Sequence, residues 1–361
     1  MFAAFRWDHV RNRMIFLPAE RVDSPSDTTP IAAGATYCQL WLREMRLSHN
    51  FGWFHRYYPV VHASTSFTYG RQVVKNPCLA GPFQLADLTP NNLHRVISCH
   101  HELTPLFPYK GGDVEIKVGL FSMIANDPVK GFVTAVERIA KLIPIPQFST
   151  MLDLIPPVYE SIEDLMGVGK AQLQIGYDGR FVSAGSGVVN QLKGGYFAVI
   201  LDEQNSLDLD ELCIVGGHLM IGAKGMQGEF KTNPRRELEQ YSYMLFELET
   251  RPKRDVWILP ALDKLKNETR LAEAQGDFKK AREVFNQLIS AIVQSDDLLE
   301  SEQNTLAFRI REWLNRMPLQ AVQSRSPHSL AAIMSQEFEP HPDAETESLL
   351  AEWRQFYERQ R

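Results

Sequence analysis

The texture of this chain changes near Pro260. Before it, short runs alternate apolar and polar residues and are cut by glycine and proline; after it, apolar residues recur every three or four positions. A period of two belongs to half-buried strands and a period near 3.6 to amphipathic helices. The expectation is an α+β chain: an antiparallel, sandwich-like β body over 1–259, interrupted by a helical pair at about 127–166, and a helical domain over 260–361.

Within the body, 36–47 (TYCQLWLREMRL) is apolar on both faces near its start and reads as a central strand. Strict alternation there sets Trp41, Arg43 and Met45 on one face against Leu40, Leu42 and Glu44 on the other. The run 60–69 alternates Val61, Ala63, Thr65 and Phe67 with His62, Ser64 and Ser66, the pattern of one buried face and one wet one. Further strands are expected at 93–103, 112–124, 171–177, 196–201, 212–215, 218–221 and 241–249. Their shortness and their glycine turns favour antiparallel sheets over a parallel α/β sheet. Between them, Asp127 followed by Pro128, and Ser149, open the two helices of the insert, with Phe132, Val136 and Ile155 apolar and the charged residues on one side.

The tail divides into five helices: 262–274, 277–294, 302–317, 327–338 and 344–361. Residues 272–288 (AEAQGDFKKAREVFNQL) resemble the middle of a tetratricopeptide repeat, with Gly276-Asp277-Phe278 at the turn, Ala281 at the helix crossing, and Phe285 and Leu288 facing the next helix. Thr269 and Val293 depart from that pattern, and no second copy follows. The resemblance therefore implies a helical hairpin and no peptide-binding solenoid. Three blocks of the chain, YCQLWLREMRL, LFPYKGGDVEIKVGLFSM and YSYMLFELETRPKRDVW, resemble segments of uncharacterised bacterial proteins from conflict or defence gene clusters, which implies a partner-dependent component.

Composition narrows the function classes. At 44% hydrophobic and 23% charged, the 361 residues are sufficient to bury a sizeable core. Thirty-eight basic against 44 acidic residues give a net charge of -6, and no long basic run is present to grip a nucleic-acid backbone. The first sixteen residues mix Arg6, Asp8, Arg11 and Arg13 among apolar ones, unlike a signal peptide, and no stretch is long and apolar enough to span a bilayer. Cys38, Cys78, Cys99 and Cys213 are widely spread, as buried thiols of a reducing compartment would be. A cytoplasmic protein without a cofactor is expected.

Site motifs are sparse. Gly167-Val168-Gly169-Lys170 imitates the end of a phosphate loop, but Asp164 stands at its first glycine and Ala171 at its hydroxyl. The acidic stretch 202–211 lacks the ligand spacing of a calcium loop and reads as a solvated connection. On a strand, Cys99 and His101 point the same way, and with His62 from a neighbouring strand they would begin a metal site. Basic residues cluster at Arg251, Lys253 and Arg254, and with Phe278 and Phe285 they are the candidate partner-binding residues. The leading reading is a non-enzymatic scaffold or adaptor that binds a protein partner or a second copy. The alternatives are a hydrolase or metalloenzyme built on His62, Cys99, His100 and His101, and an effector that touches a membrane peripherally through the 127–166 helices.

Overall fold

The β-branched and aromatic residues of the body, set at a period of two, form strands wherever a glycine or proline turn lets the chain reverse. The structure, a computed structural model, describes residues 12–24, 28–48, 57–81, 97–124, 171–182, 191–202, 204–222, 236–316 and 330–335. The expected insert at 127–166 and the expected last helix at 344–361 lie outside the described residues. By its internal contacts the chain divides into two units, Met1–Arg251 and Pro252–Arg361.

The first unit is antiparallel throughout its named strand pairs. One sheet takes β1 (Asn12–Phe16), β9 (Gly195–Leu201), β13 (Tyr243–Arg251), β2 (Tyr37–Arg46) and β5 (Ile97–Glu102) in that order, with β6 (Phe107–Pro108) also paired to β2. A second sheet runs β4 (Gln72–Ala80), β3 (Tyr57–Tyr69), β7 (Val114–Ile124), β8 (Ala171–Phe181). A small third sheet joins β10 (Leu212–Val215), β11 (His218–Ile221) and β12 (Arg236–Glu237).

The first two sheets pack face to face as a sandwich. Leu40, Leu42, Met45, Phe197 and Phe246 of the first share one core with Val61, Phe67, Val118 and Leu120 of the second. Phe197 stacks on Phe246 at 5.0 Å, and Phe107 on Phe67 at 3.9 Å. The other face of the first sheet is covered in part by the small sheet, whose Leu212, Ile214 and Leu219 pack on Ala198, Ile200 and Leu245. Its hairpin turns through Gly216 and Gly217, both at positive φ (+59° and +80°), the backbone of a two-residue type I′ turn.

Two expectations about faces are corrected. β2 is central, between β13 and β5, but its register slips beside Arg43 against both neighbours. The bulge moves Met45 into the sandwich core with Leu42 and turns Glu44 to the opposite face. The supposedly wet face of β3 is buried as well: His62, Ser64 and Ser66 are all nearly inaccessible. Asp202 is likewise no part of a solvated connection, since its carboxylate is buried and accepts from Leu207 N at 3.1 Å and Arg13 Nη1 at 3.0 Å.

The second unit holds α1 (Pro260–Ala274), α2 (Phe278–Val293), α3 (Glu300–Arg316) and the short α4 (Leu330–Ser335). Leu262, Leu288, Ile292, Leu306, Ile310 and Trp313 form its core. Lys266 is buried there between Asp263, 2.9 Å from its Nζ, and the ring of Trp313. α1 ends at Gly276, whose φ of +74° lets Asp277 N reach back to Ala272 O at 3.0 Å. Asp277 then caps α2 by accepting from Lys280 N at 3.1 Å. Asp277→Ala is expected to cost about 1 kcal/mol, read as a lower chemical-denaturation midpoint at unchanged slope. Among the described residues no helix is long and apolar enough to cross a membrane.

Candidate functional site: an open polar face on the first sheet

Beyond the small sheet, the outer face of the first sheet is polar among the described residues. Alternation sends Trp41 and Arg43 of β2 and Glu247 and Glu249 of β13 to this face, and Trp41 pairs with Glu247 across the ladder. The side chains hold one another. Trp41 Nε1 donates to Glu249 Oε2 at 2.9 Å, Arg43 Nε to Glu247 Oε2 at 2.5 Å, and Arg251 Nε to Glu249 Oε1 at 2.6 Å. The Arg43 guanidinium also lies over the Trp41 ring, 4.7 Å from its centre. Tyr196 of β9 completes the floor, its hydroxyl pushed up to about 12 by burial and by Glu247.

Arg43, Tyr196, Glu247 and Glu249 line an open cleft of about 850 Å³ together with Ala19, Val22, Asp23 and Ser24. Asp23 is tied to the hairpin turn, because its carboxylate accepts from Gly216 N at 2.6 Å.

Beside the cleft, the bulge brings Glu44 under the same hairpin. Its side chain is 1% exposed and accepts from three donors: His218 Nδ1 at 2.5 Å, Leu219 N at 3.0 Å and Tyr243 OH at 3.1 Å. Burial raises the Glu44 carboxyl above its ordinary value, and these three bonds oppose the rise. His218 itself is half in solvent, with 52% of its side chain exposed. A buried carboxylate on Nδ1 fixes the tautomer and orientation of an accessible imidazole. His100 stands close by on β5 at a φ of +33°, a left-handed value for a non-glycine residue at the point where the ladder slips. Partial burial lowers its pKa first, and the nearby Arg43 and His218 lower it further.

Of the expected metal constellation, His62 and His101 lie on different faces. Cys78 pairs with Ala63 and faces the sandwich core, where its Sγ lies 3.1 Å from His101 Nε2. His62, one residue along β3 from Ala63, points to the opposite face of that sheet. Burial holds both His62 and His101 near a pKa of about 4 and pushes the Cys78 thiol up to about 12, so this pair is neutral and unreactive. The Cys99 side chain lies outside the described residues. Among the described residues no three His, Cys, Asp or Glu side chains are grouped to hold a metal ion.

The partner candidates fare unequally. Phe278 is 65% exposed, whereas Phe285 is partly buried against the helical core. Arg251 is bound to Glu249 and Lys253 is exposed. Arg254 is only 5% exposed; its Nη1 donates to Asp297 O at 3.3 Å and its backbone N to Glu302 Oε1 at 3.0 Å, so it serves the interior of the helical unit. Sequence reasoning missed Glu44, His218, Asp23 and Tyr196 altogether. The one local signal was a histidine directly after a Gly-Gly turn.

Comparison with known proteins adds no identity: no family model matches the chain, and neither a curated protein nor a solved structure matches it.

Proposed function

We propose that the chain is a cytoplasmic, non-enzymatic binding component of a bacterial multi-protein assembly of the conflict or defence type. The β body is its recognition scaffold and the helical unit its docking element. The observation that carries this reading is the cleft, whose charged groups are held in place by one another before any ligand arrives. A preorganised polar surface loses little side-chain entropy on binding, the property that a recognition face needs. Phe278 at the start of α2 offers a separate apolar anchor. The buried free thiols Cys38, Cys78 and Cys213 agree with a reducing compartment.

The test is size-exclusion chromatography with light scattering, on the chain alone and mixed with the proteins encoded beside it. Self-association or complex formation is expected, and Phe278→Ser should weaken it without lowering the melting temperature. A chain that stays monomeric and binds none of those proteins would remove the reading.

The enzyme reading survives in altered form, on Glu44 and His218 rather than on His62 and His101. A carboxylate-oriented imidazole at the edge of a cleft is the equipment of a general base. Hydrolysis of p-nitrophenyl esters or phosphates that disappears in His218→Asn would favour it; hydrolysis at equal rate in that variant, or none in either protein, would dismiss it.

A further inference from the structure

The charge of the cleft is unbalanced, and this specifies what would bind there. Asp23, Glu247 and Glu249 line it, and Glu102 of β5 stands close enough to Glu249 and Arg251 to feel both. Against these four carboxylates stand two guanidinium groups, Arg43 on Glu247 and Arg251 on Glu249. Asp23 has a backbone N–H of the hairpin turn for a partner and no cation among the described residues. Glu102 faces Trp41 across the ladder; burial raises its carboxyl first, Arg251 and a hydrogen bond with Gln39 oppose the rise, and the neighbouring Glu249 adds to it. An added cation would relieve both.

The cleft also has a donor for the other half of a peptide. The guanidinium of Arg43 is fixed by the bond from its Nε to Glu247 and by the Trp41 ring beneath it. Its terminal nitrogens make no hydrogen bond among the described residues, and a planar fork so held is suited to carbonyl oxygens. A volume of about 850 Å³ lies at the upper end of small-molecule sites, and the cleft is open rather than enclosed, so a chain segment can enter it.

We propose that this cleft receives an extended segment of a protein partner carrying lysine or arginine, its cations settling against Glu249, Glu102 and Asp23 and its backbone carbonyls against Arg43. The proposal rests on the binding reading above and names the chemistry of the ligand.

Fluorescence anisotropy with labelled peptides of equal length, one basic, one neutral and one acidic, tests it on the full chain. Binding of the basic peptide alone is expected, weakening roughly tenfold or more between low and high salt as screened charge pairs do. The double variant Glu102→Gln/Glu249→Gln should lose a similar factor while its melting temperature holds. Should that variant not fold, Ser24→Lys places a cation on the exposed rim without touching any of these pairs, and it should block the basic peptide. Equal binding of the acidic peptide or unchanged affinity in a folded variant would each overturn the proposal. If complex formation with a neighbouring gene product persists while all three peptides fail, the adaptor reading stands and the cationic ligand is wrong; loss of both removes both.

Discussion

Acidification from neutral pH toward pH 4 should destabilise the β body progressively, beginning well above the range in which its ordinary carboxylates titrate. His62 and His101 are both buried, and burial lowers each from 6.5 to about 4. Between those values the unfolded chain binds protons that the folded chain refuses, so stability falls as the pH falls. The contribution is complete above about 6.5 and gone below about 4. Each histidine is worth on the order of 3 kcal/mol across that window, and together they rival a large share of a domain's stability of about 5–15 kcal/mol. Melting temperature against pH measures this, with His62→Gln and His101→Gln beside the natural chain. Each variant is expected to flatten the profile between those limits. A double variant whose profile superimposes on that of the natural chain would show that the two histidines are not the cause.

The second large effect is expected at Glu44. Replacement by alanine strips the acceptor from Leu219 N and Tyr243 OH, both buried, and from His218. A buried donor left without a partner costs about 1–3 kcal/mol, so the loss should be about 3 kcal/mol in all. It should be smaller than for a wholly buried ion pair, because half of the His218 side chain can turn to water. Glu44→Gln keeps one acceptor oxygen and should recover much of the difference. It should also remove a pH dependence opposite in sign to that of the histidines. The Glu44 carboxyl is raised in the folded chain, so its contribution is present below the unfolded carboxylate value and is lost as the pH rises through the raised one. The stability difference should therefore shift in favour of glutamine with rising pH. Urea titrations at several pH values measure it, and an alanine variant as stable as the natural chain would mean that the hairpin is held elsewhere.

Much of the fold was legible because its causes are local. The period-two runs became β2, β3, β7, β9 and β13 within a few residues of their expected bounds. The turn 276–278 joined two helices as the small and large residues around it require. The strands that escaped notice, β1, β4, β6 and β12, are short or carry charge and proline that blur their alternation. β4 even holds Pro77, tolerated because it is an edge strand.

The site was not legible, and the reason is geometric. Glu44 and His218 are 174 residues apart and meet only because a bulge beside Arg43 reverses the face on which Glu44 lies. Strict alternation would have put that carboxylate in the apolar core beside Leu42, and nothing local to the strand announces the slip. The same holds for His62, whose polar neighbours advertise a wet face that the folded chain buries. What the sequence determined by itself was the division into a β body and a helical tail, since period and turn chemistry act over a few residues. Only the tertiary structure decided which faces are covered and which carboxylates gather at the cleft, because burial and charge depend on strands that the chain brings together from its two ends.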